Sequence, residues 1–167
     1  MKILVTVASR HGATGEIGEV IAGVLRDAGL AVHTRPPSDV ASLDDFDAVV
    51  LGSAVYAGRW MEEARRFAQR HHEQLRGRPV WLFSSGPIGV PLAPAEESAD
   101  ALKLVGELTA RGHQTFAGRI DPGGLGWVER TITRMVKAPD GDFRDWEAVR
   151  SWADDIARAL ARTEVEA

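Results

Sequence analysis

The sequence predicts an α/β fold: a parallel sheet of five strands with helices on both faces. Apolar, β-branched runs alternate with amphipathic helical patterns along the whole chain. The connections are short, as strand-helix-strand units in a parallel sheet require. The first apolar run also ends in a loop of Gly, Ser and Thr that opens directly into a helical pattern. Five strands wound this way fit the order 2-1-3-4-5, in which ligands sit outside the carboxyl ends of the strands where the winding reverses, between the first and third.

Ile3 to Ala8 is a continuous apolar run of the kind buried on both faces. The helix after it, about Thr14 to Ala28, carries Ile17, Val20, Ile21, Val24 and Leu25 on one side, and Gly29 stops it. Leu30 to Thr34 forms a short second strand ahead of Pro36-Pro37, and Asp47 to Ser53 forms the third. A helix over about Met61 to Leu75 is punctuated by Gly77 and Pro79, and Val80 to Ser84 follows as the fourth strand. Ala95 to Arg111 reads as helix closed by Gly112, with His113 to Ala117 the fifth strand leading into Gly118-Arg119. Phe143, Trp146, Val149, Ile156 and Leu160 share one face of a closing helix with Asp142 as its expected N-cap, so Trp146 and Trp152 read as packing. No repeat, low-complexity tract or linker stands out, and residues 1–167 are expected to form one domain.

Composition narrows the function. The net charge of −4, with acids and bases mixed, argues against a general nucleic-acid binder, which is basic. There is no cysteine, which removes disulfides, thiolate catalysis, iron–sulfur clusters and zinc–thiolate sites. His11, His33, His71, His72 and His113 include no ligand pair on one helix face, so no metal is expected. A Gly-x-Ser-x-Gly hydrolase elbow is absent. A phosphorylated receiver domain needs acids after its first and third strands, where Ala8-Ser9 and Ser53 stand. The apolar start is too short for a secretory signal, and no run approaches membrane-spanning length, so a cytoplasmic location is expected.

The loop Ser9-Arg10-His11-Gly12-Ala13-Thr14 carries the most chemistry. Backbone N–H groups at a helix N-terminus lack partners and bear the positive end of the helix dipole, so a loop that lets them converge holds an anion. Glycine permits the approach, and Ser9 and Thr14 add hydroxyl donors. The loop lacks the Lys-Ser or Lys-Thr of a nucleoside-triphosphate loop, and the spacing of Gly12, Gly15 and Gly18 lacks the tight Gly-x-Gly of a dinucleotide loop. An ordinary strand-to-helix turn is the alternative. Two further loops leave the same sheet edge: Ser53-Ala54-Val55-Tyr56-Ala57-Gly58 with Trp60 after the third strand, and Ser84-Ser85-Gly86-Pro87 with Gly89 after the fourth. Loops poor in side chains let amides approach a planar polar ring while an aromatic stacks on its face. Tyr56 and Trp60 are the candidates, with packing on the next helix the other role open to each.

Ser9-x-x-Gly12-x-Thr14 resembles the loop with which flavodoxin-like proteins hold the phosphate of FMN. Gly52-Ser53-Ala54-Val55 with the later Gly58, and Asp145-Trp146-Glu147, look like the flavodoxin-type menaquinone-dependent protoporphyrinogen dehydrogenases, a resemblance that spans nearly the whole chain. It implies a three-layer flavodoxin-like sandwich. It also implies an FMN flavoprotein whose cofactor contacts are Ser9, Arg10, His11, Gly12, Ala13, Thr14, Ser53, Ala54, Val55, Tyr56, Ala57, Gly58, Trp60, Ser84, Ser85, Gly86, Pro87 and Gly89. The chain departs from that family in having Ala57-Gly58 where a Tyr-Gly is usual, with the tyrosine one place earlier. Arg10 and His11 also put charge into a loop that plain flavodoxins build from amides and hydroxyls.

The family's long basic insertion after the fifth strand has a shorter counterpart, Arg119 to Lys137. On a helix from about Leu125, Trp127, Arg130 and Arg134 would lie opposite Leu125, Val128, Ile132 and Met135. An aromatic flanked by guanidiniums suits a flat carboxylated substrate; a solvated basic face is the plain alternative, and contact with an anionic membrane surface calls for more basic residues than the segment has. The expectation is an FMN-dependent oxidoreductase with its chemistry on the flavin, acting on a small-molecule substrate or quinone. The alternative is a non-catalytic electron-transfer carrier docking on redox partners, although its charge is milder than such carriers show. A homodimer is compatible with either.

Overall fold

The computed structural model describes residues 1–86, 97–120 and 141–166. Strand β1 (Lys2–Ala8) pairs in parallel with β2 (Ala31–Arg35) on one side and β3 (Ala48–Tyr56) on the other. β3 also pairs in parallel with β5 (Val80–Gly86), and β5 with β6 (Gly112–Ala117). The order β2-β1-β3-β5-β6 is the one expected of the five main strands. β4 (Arg59–Trp60) folds back antiparallel on the end of β3. Burial follows position in the sheet: β5 is buried throughout and β3 up to its last residue, whereas the edge strand β2 alternates between exposed and half-buried.

Side chains alternate along each strand and so feed two cores. Leu4, Val49, Leu51 and Leu82 pack with Trp60, Phe67, Leu75 and Leu108 beneath α2 (Glu62–Arg70), α3 (His72–Arg76) and α4 (Ala99–Leu108). On the other face, Ile3, Val5, Val50 and Phe83 pack with Ile17, Ile21 and Leu25 of α1 (Ala13–Asp27) and with Val149, Ile156 and Leu160 of α5 (Trp146–Glu166). The rings of Phe83, Phe116 and Trp152 meet edge-on, with centroids 5.7 to 6.1 Å apart.

Several boundaries differ from the sequence expectation. The helix expected over 61–75 is two helices, interrupted at His71, whose buried ring turns to Gln74 Oε1 at 3.0 Å and the Val40 carbonyl at 3.3 Å. The next helix is closed not by Gly112, which begins β6, but by Thr109 in the left-handed region at φ 52°. The closing helix is capped by Asp145, whose Oδ1 accepts the Ala148 N–H at 2.9 Å; Asp142 and Phe143 precede it. The third strand runs three residues further than expected, because Ala57 and Gly58, at φ 49° and 75°, make a two-residue turn into β4.

One glycine makes room for the ring of its register partner on the neighbouring strand, Phe83. A Cβ on Gly52 would lie 2.1 Å from Cζ of Phe83, whose ring is held by Phe116 and Trp152. Gly52→Ala is therefore expected to destabilise the fold by about 1–3 kcal/mol, read as a lower urea midpoint with an unchanged slope. An unchanged midpoint would show that the Phe83 ring can move.

Candidate functional site

The register of β1, β3 and β5 aligns Ala8, Ser53 and Ser84 in one row, and all three loops leave the sheet just beyond it. After β1 the chain reaches Gly12 in the left-handed region at φ 81°, which is the N-cap of α1 and gives it no side-chain cap. Gly12 is exposed, and a Cβ built on it would meet nothing within 4 Å among the described residues. Ser9 and His11 are half-buried there, Arg10 is exposed and Thr14 is buried. Glu16 in the first turn adds the charge that suits a helix start.

The β3–β4 hairpin stands beside this loop. Tyr56 is its large exposed aromatic at 37 % exposure; the Arg10 guanidinium lies 5.5 Å from its ring centroid and the His11 ring meets it edge-on at 6.5 Å. Ala57 and Gly58 at the tip are exposed, while Ala54 and Val55 are buried in β3. Trp60 is not on the surface. Of the two roles open to it, the structure gives packing: it is 2 % exposed, and its Nε1–H donates to Ser84 Oγ at 2.8 Å. Ser53 and Ser84 likewise direct their hydroxyls inward, Ser53 to the Ala54 carbonyl and the Met61 N–H, Ser84 to Trp60 and His113. They shape the loops from beneath, because their places on the strands turn them toward the core. Ser85 is buried, and Gly86 accepts the Gly118 N–H at 3.0 Å.

Two ionic clusters hold these loops. Asp100 on α4 accepts from Arg59 at 3.2 Å and from the Trp60 N–H at 3.1 Å. Burial would raise its carboxyl, but the Arg59 hydrogen bond, the Trp60 N–H and the charges of Arg59 and Arg65 together hold it below the usual range. The second cluster escaped the sequence reading. Arg144, its side chain 3 % exposed, pairs with Asp142 through Nε at 2.8 Å and Nη2 at 2.6 Å, and its Nη1 reaches Glu16 Oε2 at 2.6 Å and the Ala13 carbonyl at 3.1 Å. The guanidinium also lies 4.4 Å from the centroid of the Trp146 ring, and Arg119 reaches Glu16 at 3.4 Å. The short span from Asp142 to Trp146 was the available signal, but Glu16 stands 128 residues from Arg144 in sequence.

β7 (Arg119–Ile120) and β8 (Gly141–Asp142) pair antiparallel, near the start of α1. Pro87 and Gly89, and the substrate candidates Trp127, Arg130 and Arg134, lie outside the described residues. Among the described residues, no group of three His, Cys, Asp or Glu could hold a metal ion, and no helix is long and apolar enough to cross a membrane.

A three-layer α/β sandwich with an open helix N-terminus and an exposed aromatic at its switch point is built to take a nucleotide-like ligand. The family model of the flavodoxin domain matches residues 4–147, and the chain belongs to that family, whose cofactor is FMN. It is 22 % identical to protoporphyrinogen IX dehydrogenase (quinone) of Escherichia coli K12 over 178 residues, covering 94 % of this chain and 95 % of the relative. Among solved structures, an archaeal flavodoxin superposes with a TM-score of 0.66 at 14 % identity, covering 96 % of this chain and 99 % of that one. Flavodoxin 1 of Bacillus cereus gives 0.62 at 15 % identity, covering 95 % and 98 %. Rubredoxin oxygen:oxidoreductase of Desulfovibrio gigas gives 0.68 at 15 % identity, over 96 % of this chain and 36 % of that larger one. These structural likenesses are of fold.

The Arg144 hydrogen bonds hold the Asp142 carboxyl at about 2, against an ordinary 3.8. Because the folded value is depressed, the stability from this pair is complete above 3.8 and is lost as pH falls through about 2. In Arg144→Met, a carboxyl-carbon NMR titration should find Asp142 returned toward 3.8; a midpoint still near 2 would mean that another group holds it.

Proposed function

We propose that this chain binds FMN at the three strand-end loops and works as an FMN-dependent oxidoreductase. The observation that carries the cofactor site is the uncapped start of α1 at Gly12, open to solvent and flanked by Tyr56. In this reading the amides of Gly12, Ala13 and Thr14 hold the phosphate, with the Ser9 hydroxyl and the charge of Arg10 and His11 beside them. Tyr56 offers its face to the flavin ring, and Ala54, Val55, Ala57, Gly58, Ser85 and Gly86 bring main chain to its edge. Pro87 and Gly89, which follow Gly86 in the sequence, are proposed as further contacts. Ser53, Ser84 and Trp60 support the site from below.

FMN, when bound, supplies the acceptance and release of electrons; the protein supplies binding, orientation and electrostatics. No side-chain acid or base is needed at the site. The substrate reading is a flat carboxylated molecule held by Trp127, Arg130 and Arg134, with a quinone as acceptor. It is supported by the 22 % identity to a quinone-dependent protoporphyrinogen dehydrogenase and by a net charge of only −4. The flavodoxin structures of the same fold favour the second reading, an electron carrier that docks on redox partners.

Turnover separates the two. The FMN-loaded protein alone should oxidise a porphyrinogen with a quinone acceptor, and Arg130→Ala with Arg134→Ala should lower that rate about tenfold or more while leaving FMN affinity unchanged. No turnover without a partner protein would select the carrier. Unchanged turnover in the double variant would return the arginines to a solvated face.

A further inference from the structure

A buried hydrogen-bond chain runs beneath the candidate site. The Trp60 Nε1–H donates to Ser84 Oγ at 2.8 Å, and Ser84 Oγ lies 3.0 Å from His113 Nε2. Ser84 is fully buried and the His113 side chain is 5 % exposed. On the other side of the ring, His113 Nδ1 lies 3.7 Å from Glu97 Oε1, beyond hydrogen-bond distance.

The chemistry of the three groups fixes where the protons lie. An indole N–H only donates, so Ser84 Oγ accepts from Trp60. Among the described residues the single hydroxyl proton of Ser84 has no acceptor other than His113 Nε2, so it points there and Nε2 is the bare nitrogen. Nδ1–H faces the Glu97 carboxylate, whereas the other tautomer would set a lone pair against that negative charge. Burial holds the ring below its ordinary titration range, with Glu97 acting in the opposite sense. Glu97 is the ionisable side chain that approaches the ring among the described residues; on α4, Asp100 is engaged by Arg59 and Arg65, and Lys103 by Glu107.

Protonation at Nε2 breaks this order. Ser84 Oγ would have to accept from both Trp60 and His113 and turn its own proton away, yet among the described residues its hydroxyl makes no third hydrogen bond. Trp60 ends β4, so the chain fixes the hairpin that carries Tyr56, alongside the Asp100 contacts to Arg59 and the Trp60 N–H.

We propose that His113 is a positioning residue for the hairpin beside the cofactor loops: its neutral ring, acting through Ser84, locks Trp60 and the turn at Tyr56 to Gly58, and its protonation releases them. The effect on FMN rests on the cofactor reading above; the proton-dependent hairpin does not.

The test follows the Trp60 indole N–H and the Arg59 and Trp60 amides, rather than Tyr56, which the His11 ring meets, by NMR in the apo-protein from pH 8 to 5, together with the His113 ring. All should shift with one midpoint, and in His113→Gln, which cannot take up charge, the shifts should vanish. Glu97→Gln, an exposed change, removes the charge that favours protonation and should move the wild-type midpoint to lower pH. FMN dissociation constants over the same range should rise about tenfold more in wild type than in His113→Gln, the order expected for one buried hydrogen bond. Taking that difference removes the ionisation of the FMN phosphate itself. Hairpin signals that ignore the His113 titration, or that persist in His113→Gln, overturn the proposal. FMN uptake at no pH would overturn the cofactor reading, and the Trp60 signal would still decide the hairpin.

Discussion

The parallel register of β1, β3 and β5 places Ala8, Ser53 and Ser84 side by side; the first loop leaves β1 from that row, and β3 and β5 run two or three residues beyond it to Tyr56 and Gly86. A slip of one residue in β3 would turn Ser53 outward and Gly52 off the Phe83 ring, since successive side chains face opposite sides of a sheet. The register is held by burial on both faces: Val49 and Leu51 serve one core, Val50 the other, and Gly52 is the one place where a side chain would not fit against Phe83. The site is therefore a consequence of how the interior packs.

Electrostatics at the start of α1 follow from the same geometry. A buried guanidinium beside a helix N-terminus is unfavourable unless its charge is matched. Arg144 is matched by Asp142 and Glu16, with Arg119 on the outer side of Glu16, so the two arginines and two acids balance. The amides at the start of α1 are left to act on whatever anion arrives. The cluster also ties the paired strands β7 and β8 to the start of α1 at Ala13.

Much of the fold was legible in the sequence because it rests on periodicity. The five main strands, their order, and the face of α1 carrying Ile17, Ile21 and Leu25 all follow from alternating apolar runs and helical spacing. What escaped depends on contacts distant in sequence. His71 breaks a helix because its ring finds the Val40 carbonyl, and Thr109 ends α4 in a conformation unusual for threonine. The loop residues were legible as a group, but not which way each side chain turns. Trp60 faces inward because β4 doubles back at the Ala57-Gly58 turn, and Ser53 and Ser84 because of their places on β3 and β5.

The central claim is that the open N-terminus of α1 is the phosphate end of a cofactor site. Adding FMN to isotopically labelled apo-protein and following backbone amides tests it most directly. The account predicts large downfield shifts at Gly12, Ala13 and Thr14, saturating with the loss of FMN fluorescence and accompanied by changes at Tyr56. Saturable FMN binding that leaves those three amides unmoved, or no binding at all, would contradict it.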